Sequence, residues 1–218
     1  MEDGRVIDRA RMMARSLHEG FAPSHDFSHV ERVHMLAERI AAAEGADLFV
    51  VRVSALLHDI GRAAEARNGG GDRHEELSVE MSRPFLEEMR VSPERTDAIL
   101  HAIAAHRHRK DNKPRTLEAK CLYDADKLDS LGAVGIARSY LWLGEHGRSV
   151  FYDEREWIDV DSRDNTPEVD STQREWHIKL RHLKDHMYTE TGRAIATERH
   201  ERMARIIDEI EKEVKGEI

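Results

Sequence analysis

The sequence predicts a single all-α domain, and three observations lead to that prediction. The 13 glycines and 5 prolines make up about 8% of the 218 residues, below the roughly 12% of an average chain, so few residues would break helices. Apolar residues recur at helical spacings along most of the chain. A chain of 218 residues can also bury a core without disulfide bonds. We therefore predict one domain over residues 1–218, with a core at about 20–135 and C-terminal helices at about 172–215.

The first three helices follow from capping residues, glycines and apolar periodicity. A first helix over residues 5–19 ends at Gly20. Ser24 is predicted to cap a second helix that runs to about Glu44, where a glycine follows. A third helix at about 47–62 is apolar on nearly all sides. A helix of that kind is expected to be central and buried.

The rest of the chain is predicted to be helical apart from one long polar segment. Six further helices are predicted, at 74–90, 93–107, 115–130, 132–145, 172–188 and 190–215. Residues 148–171 are mostly polar and show no period. A loop of that length is uncommon inside a compact domain and often serves as a lid or contact element.

Composition excludes several classes of protein. The 34 basic residues against 43 acidic residues give a net charge of −9, which argues against a nucleic-acid polymer as partner. The single cysteine excludes a disulfide framework and a cysteine-rich zinc module. No apolar run is long enough to span a membrane, and the N-terminus does not resemble a signal peptide. We therefore expect a cytoplasmic protein with no membrane partner.

The 14 histidines suggest metal chemistry if the fold gathers some of them with carboxylates. His58 and Asp59 stand next to each other in the apolar third helix, where an ionised carboxylate costs several kcal/mol unless it is paired or bound to a metal. His29 lies on the apolar face of the second helix. Asp124 and Asp126 lie on different apolar faces of a later helix, and periodicity does not choose between them.

These residues occur in an order that resembles a known family. His29, then His58 and Asp59, then Asp126 is similar to the H…HD…D signature of the HD-domain metal-dependent phosphohydrolases, in particular their small stand-alone bacterial and archaeal members. The likeness covers roughly residues 20–210. The segments that carry it are His25–Val33, Leu56–Gly61, Asp124–Gly132 and Thr189–Arg193.

The resemblance implies a helical HD-domain bundle and a metal-dependent enzyme. It implies one divalent ion, of Mn, Mg, Fe, Co, Ni or Zn, bound by His29, His58, Asp59 and Asp126. The implied reaction is hydrolysis of a nucleoside or deoxynucleoside triphosphate to the monophosphate and pyrophosphate by a water molecule that the metal activates. The implied partner is therefore a small phosphorylated molecule, and Asp59 belongs to the catalytic residues.

Other polar residues are candidates for substrate binding. An acidic protein needs local cations to bind a triphosphate, and Lys127 and Arg62 are the best placed in sequence. Lys127 is also a catalytic candidate, because it would stabilise phosphate charge next to the last ligand. Asp129 is expected either to position the attacking water or to pair with Lys127. His25 lies four residues before His29 and is expected to bind substrate or to support the helix start.

Three further histidines allow two interpretations. In HD proteins with two metals, histidines between the HD pair and the last aspartate bind the second ion, and His74, His101 and His106 stand in such places. The interpretation that we favour from the sequence is that His74 and His106 orient substrate phosphate or the metal ligands.

The alternatives to a nucleotide pyrophosphohydrolase use the same site. They are a phosphomonoesterase or phosphodiesterase, an HD-type di-iron oxygenase, and a non-catalytic nucleotide sensor. The sequence does not determine the base, the sugar, the physiological metal or the oligomeric state.

Overall fold

The computed structural model describes residues 2–20, 23–67, 73–107, 112–148 and 171–218, except for the side chain of His25. Within these residues the chain forms ten α-helices and no β-strand, which confirms the predicted all-α class. The helices are α1 (Glu2–Leu17), α2 (Phe27–Glu44), α3 (Leu48–Leu57), α4 (Arg62–Arg67), α5 (His74–Glu88), α6 (Pro93–Ala105), α7 (Leu117–Leu128), α8 (Gly132–Glu145), α9 (Thr172–Ile178) and α10 (Glu190–Val214). None of them is long and apolar enough to cross a membrane.

The described residues fall into two compact units, and the first contains α1 to α6, most of α7 and residues 188–192. Helix α3 packs against α1, α2 and α6. Its N-terminus is capped by Asp47, whose side chain accepts a hydrogen bond from Phe49 N at 2.9 Å. Val51, Val53 and Leu56 are fully buried, and burial of each such side chain stabilises the fold by about 1.5–3 kcal/mol. The prediction of a central, buried third helix is confirmed.

The third helix is shorter than predicted, because α3 ends at Leu57 and the His-Asp pair lies in the turn that follows. The prediction of a helix through residue 62 was therefore wrong, and a short α4 was not predicted. Gly61 gives the physical reason. A Cβ atom at Gly61 would lie 2.4 Å from the carbonyl oxygen of His74 and 2.6 Å from the backbone nitrogen of Ser78. Only glycine lets the turn pack directly against the first turns of α5.

Helix α2 begins later than predicted and has a different cap. Its N-cap is Asp26, whose side chain accepts a hydrogen bond from Ser28 N at 2.9 Å. The prediction that Ser24 caps this helix was wrong. Ser24 lies in a separate 3₁₀ turn at Pro23–His25, and its backbone nitrogen donates to Glu145 at 2.9 Å.

The second unit contains residues 23–24, 127–148, 171–187 and 193–218 of the described chain. Helix α8 packs against α9, where Thr172 Oγ1 donates to Ser139 Oγ at 2.9 Å. A 3₁₀ helix at Leu180–His186 replaces the second half of the helix predicted over 172–188. The single domain over residues 1–218 stays a prediction. The predicted loop at 148–171 lies almost entirely outside the described residues.

Candidate metal centre

The first unit brings together three of the residues that the sequence singled out. His29 lies in the first turns of α2, His58 follows α3, and Asp126 lies near the end of α7. The Nε2 atom of His29 is 3.6 Å from Asp126 Oδ1, and His58 Nε2 is 4.0 Å from the same oxygen. Both histidine side chains are buried, and Asp126 is 15% exposed. The three ligand atoms lie within 4.8 Å of one another and could hold a metal ion.

A second group forms next to the first, from Asp59, His74 and His106. His74 is the first residue of α5, and His106 follows the last residue of α6. Their Nε2 atoms lie 3.3 Å and 3.5 Å from Asp59 Oδ1. All three side chains are about 1% exposed. Their ligand atoms also lie within 4.8 Å of one another, so this group could hold a metal ion as well.

Asp59 lies between the two groups and presents one carboxylate oxygen to each. Its Oδ2 atom is 3.5 Å from His29 Nε2 and 3.5 Å from His58 Nε2. Its Oδ1 atom faces the second pair of imidazoles. A carboxylate in such a position can bridge two ions as well as bind one. A bridging carboxylate is not evident from the sequence alone, because that role depends on helices that are distant along the chain.

In three site histidines Nε2 faces Asp59. The partner of Nδ1 then indicates which ring nitrogen carries the hydrogen. Nδ1 lies 2.7 Å from the Ala55 carbonyl in His58 and 2.7 Å from the Ile103 carbonyl in His106. A carbonyl oxygen only accepts, so each Nδ1 carries the hydrogen and each Nε2 presents its lone pair to Asp59. In His74, Nδ1 instead lies 2.9 Å from Glu65 Oε2.

Burial keeps the imidazoles of His58 and His74 neutral near pH 7. Desolvation lowers the pKa of His58 to about 4, against the opposing effect of the Asp59 charge. Desolvation also lowers the pKa of His74 to about 2. A neutral imidazole is the form that binds a metal ion.

The buried polar atoms of the two groups fit a divalent cation. Several buried side-chain atoms of the described residues find no hydrogen-bond partner, and four of them converge around Asp59: Nε2 of His58, His74 and His106, and Oδ1 of Asp59 itself. An unsatisfied buried polar group costs about 1–3 kcal/mol, so a cluster of four is unfavourable without a further group. Lone pairs from imidazoles and a carboxylate that converge in a buried place are typical ligands of Mn²⁺, Fe²⁺ or Zn²⁺.

Arg62 also contacts this cluster. Its Nε atom donates to Asp59 Oδ2, and the arginine side chain is 25% exposed. Burial by itself would raise the pKa of the Asp59 carboxyl. The Arg62 charge and the neighbouring His58 outweigh that effect and hold this pKa well below its usual range. Phosphate binding by Arg62 stays a prediction, since the described contact is with Asp59.

The structure separates the two aspartates that periodicity left open. Asp124 is fully buried and accepts three hydrogen bonds, from Tyr188 N at 2.9 Å, Thr189 N at 2.8 Å and Thr189 Oγ1 at 2.7 Å. These bonds hold the start of α10, and a Cβ atom at Gly192 would lie 2.3 Å from Asp124 Oδ2. Asp124 therefore has a structural role, and Asp126 is the aspartate that faces the imidazoles.

The other candidates lie elsewhere. The carboxylate of Asp129 accepts a hydrogen bond from Arg138 NH1 at 2.8 Å, a partner that the sequence did not indicate. Lys127 is half-buried, and its phosphate-binding role stays a prediction. His101 belongs to neither group, and its Nε2 accepts a hydrogen bond from Arg115 N at 3.1 Å. The side chain of His25 lies outside the described residues, so its role also stays a prediction.

Sequence reasoning missed Glu65 and Arg138, which support His74 and Asp129. Both are charged residues, which usually face solvent. The only signal for Glu65 was its place shortly after the His-Asp pair.

Comparison with known proteins places the chain in a family. Residues 26–131 match the HD domain family. The YpgQ protein of Bacillus subtilis is 32% identical over 99% of this chain and 97% of its own length. A crystal structure of YpgQ in complex with ADP matches with a TM-score of 0.75, 31% identity and coverage of 98% of this chain and 97% of that one.

Two further likenesses are informative. The crystal structure of an HD-superfamily hydrolase from Bacillus thuringiensis has a TM-score of 0.74 and 29% identity, over 98% of each chain. Ribonuclease Y of Chloroflexus aurantiacus is 31% identical over 121 residues, which are 56% of this chain and only 21% of the ribonuclease.

The fold and the comparisons define a metal-dependent hydrolase of the all-α type. The chain belongs to the HD-domain family. The resemblance that the sequence suggested is thereby confirmed. HD domains bind divalent metal ions, and the two groups around Asp59 could hold them.

Proposed function

We propose that this protein hydrolyses nucleoside or deoxynucleoside triphosphates to the monophosphate and pyrophosphate. The observation that carries the proposal is Asp59, a buried carboxylate with imidazoles on both sides. Such a centre is suited to hydrolysis of phosphate esters and anhydrides. The substrate class is supported by the ADP complex of the similar YpgQ protein.

The residues that would hold the metal fall into two sets that share Asp59. The first set is His29, His58, Asp59 and Asp126, and the second is Asp59, His74 and His106. We propose the second set as ligands of a second ion, because the Nε2 atoms of His74 and His106 are buried and face Asp59. When bound, divalent ions polarise the phosphoryl group and lower the pKa of water.

The protein's own groups position the ligands and balance charge. The carbonyl groups of Ala55 and Ile103 hold His58 and His106 with the Nε2 lone pairs directed at Asp59. Arg62 is partly exposed beside Asp59, and we propose that it also contacts substrate phosphate. Lys127, next in sequence to Asp126, is the second proposed phosphate contact.

Product analysis tests the proposal. Each nucleoside triphosphate is incubated with the protein and Mn²⁺, and the products are separated by ion-exchange chromatography. We expect equal amounts of monophosphate and pyrophosphate. Asp59→Ala is expected to lose both bound metal and activity. Glu76→Gln removes one charge from an exposed pair with Arg73 and serves as the control with normal activity.

Other products would favour the alternatives. Hydrolysis of phosphodiesters would agree with the local likeness to ribonuclease Y. Orthophosphate from nucleoside monophosphates would indicate a phosphomonoesterase. Oxygen consumption with two bound irons would indicate an oxygenase, and tight nucleotide binding without turnover would indicate a sensor. Any of these results in place of pyrophosphate release would contradict the proposed reaction.

A further inference from the structure

The environment of His74 differs from that of His58 and His106. His58 and His106 each follow a helix and contact a backbone carbonyl three residues earlier, in the last helical turn. His74 is the first residue of α5 and has no preceding helical turn. Its Nδ1 atom instead contacts a carboxylate, Glu65 Oε2, at 2.9 Å. The hydrogen on this ring therefore depends on a side chain from α4.

A second side chain competes for the same ring nitrogen. Arg107 NH1 lies 3.2 Å from His74 Nδ1 and 3.5 Å from Glu75 Oε2. A guanidinium group only donates hydrogen bonds, whereas a carboxylate only accepts them. Nδ1 cannot donate to Glu65 and accept from Arg107 at the same time. The two partners therefore favour opposite tautomers of His74.

The two tautomers have opposite consequences at Nε2. With the hydrogen on Nδ1, Nε2 presents a lone pair towards Asp59 Oδ1, which lies 3.3 Å away. With the hydrogen on Nε2, the ring instead donates to that oxygen and offers no lone pair to a cation. Glu65 makes the shorter contact, at 2.9 Å against 3.2 Å for Arg107, and Arg107 NH1 also pairs with Glu75, so the first tautomer is favoured.

We propose that Glu65 is a positioning residue that fixes His74 in the tautomer able to bind a second divalent ion. The inference rests on the proposed two-ion centre. Glu65 would act through His74 and would not touch the ion or the substrate. The same residue thus decides whether the chain binds one ion or two when metal is limiting.

Metal titration gives the first test, with the full chain and Mn²⁺ alone. Equilibrium dialysis followed by metal analysis measures the stoichiometry and the affinity for each ion. We expect two ions in the wild type. Glu65→Gln has nearly the same shape, and we expect it to bind the first ion normally and the second about 10- to 100-fold more weakly. Glu76→Gln removes an equal charge from the same region, where it pairs with Arg73, and should bind as the wild type does.

The second test measures the tautomer of His74 directly, so it distinguishes a specific effect on this ring from a general loss of structure. Long-range ¹H–¹⁵N correlations of the metal-free, ¹⁵N-histidine-labelled protein show which ring nitrogen carries the hydrogen. His74→Gln identifies the His74 signals. We expect the Nδ1–H form in the wild type and a shift to the Nε2–H form in Glu65→Gln.

The outcomes separate the inference from the proposed function. An unchanged affinity for the second ion in Glu65→Gln, or a His74 that keeps its Nδ1–H form in that variant, would overturn the role of Glu65 alone. A wild-type protein that binds only one ion would overturn the two-ion centre and the inference together. Pyrophosphate release could still be observed with one ion, so the reaction is judged separately.

Discussion

Asp124 and Asp126 lie two positions apart on α7, and we expect substitution by asparagine to affect a different property at each. At Asp124 it should lower stability, and at Asp126 it should weaken metal binding. Asparagine at position 124 keeps the shape of the side chain but turns one acceptor oxygen into a donor. Asp124 Oδ2 accepts from Thr189 N at 2.8 Å and from Thr189 Oγ1 at 2.7 Å, and Oδ1 accepts from Tyr188 N. Asparagine has only one acceptor oxygen, so Asp124→Asn must lose either the bond from Tyr188 N or the two bonds from Thr189.

The expected destabilisation follows from these bonds. A hydrogen bond to a charged group contributes about 1.5–3 kcal/mol, so the loss of one bond at Oδ1 or of two at Oδ2 predicts a loss of about 1.5–6 kcal/mol in the free energy of unfolding. For a chain of this size, 1 kcal/mol corresponds to about 2–4 °C. The melting temperature of metal-free Asp124→Asn should therefore fall by at least about 3 °C.

Asp126→Asn should behave differently, because Asp126 faces His29 and His58 and is partly exposed. We expect little change in its metal-free melting temperature. The rise in melting temperature that Mn²⁺ causes in the wild type should be smaller in this variant, because one ligand set loses a carboxylate and a ligand that binds only the native state stabilises it by RT ln(1 + [L]/Kd).

Thermal unfolding with EDTA and with Mn²⁺ is the assay for both variants. The reasoning is refuted if Asp124→Asn loses the response to Mn²⁺ with an unchanged metal-free melting temperature while Asp126→Asn is destabilised. Equal behaviour of the two variants would also contradict it, since the structure gives the two carboxylates different partners.

Three further predictions concern the supporting structure. Gly61→Ala should destabilise the protein by about 1–3 kcal/mol and weaken Mn²⁺ binding, because its Cβ would meet the backbone of His74 at 2.4 Å. Arg138→Met should cost about 3–5 kcal/mol in urea unfolding, because it leaves the buried carboxylate of Asp129 without this cation. Burial lowers the pKa of His34, so its protonation favours the unfolded state. Stability is then full above pH 6.5 and is lost as the pH falls below it, and His34→Gln should flatten this dependence in metal-free protein.

Matched variants serve as controls. A Cβ at Gly144 would meet nothing within 4 Å, so Gly144→Ala should leave stability unchanged or slightly raise it. Arg202→Met breaks an exposed pair with Glu198, so its effect should stay within about 1 kcal/mol. Parallel pH profiles for the wild type and the His34 variant, or an Arg138 effect no larger than that of Arg202, would contradict the corresponding prediction.

Most helices could be predicted from the sequence, because apolar periodicity reports which residues face a core. The helix at Gly132–Glu145 matches its predicted range, and most others differ by a few residues. The failure at the third helix has a local cause. Apolar residues continue through Ile60, which is buried, so periodicity alone extends the helix. The turn depends on Gly61 and its close approach to α5, a contact between segments that are distant in sequence.

The candidate site was predictable in its parts and not in its arrangement. The site residues are polar side chains within apolar segments, where a buried charge or imidazole needs a partner. They are His29, His58, Asp59 and Asp126. The choice of Asp126 over Asp124 followed from the resemblance at first. The structure supplies the physical reason, because Asp124 is held by the backbone at the start of α10.

The sequence by itself determined the all-α class, the central third helix and the family to which the chain belongs, because periodicity and the order of a few polar residues are local properties of the chain. Only the tertiary structure decided that Asp59 faces two pairs of imidazoles and that Glu65 holds one of them. Those contacts join residues from separate helices. Their distances depend on how the helices pack, and no spacing along the chain records that.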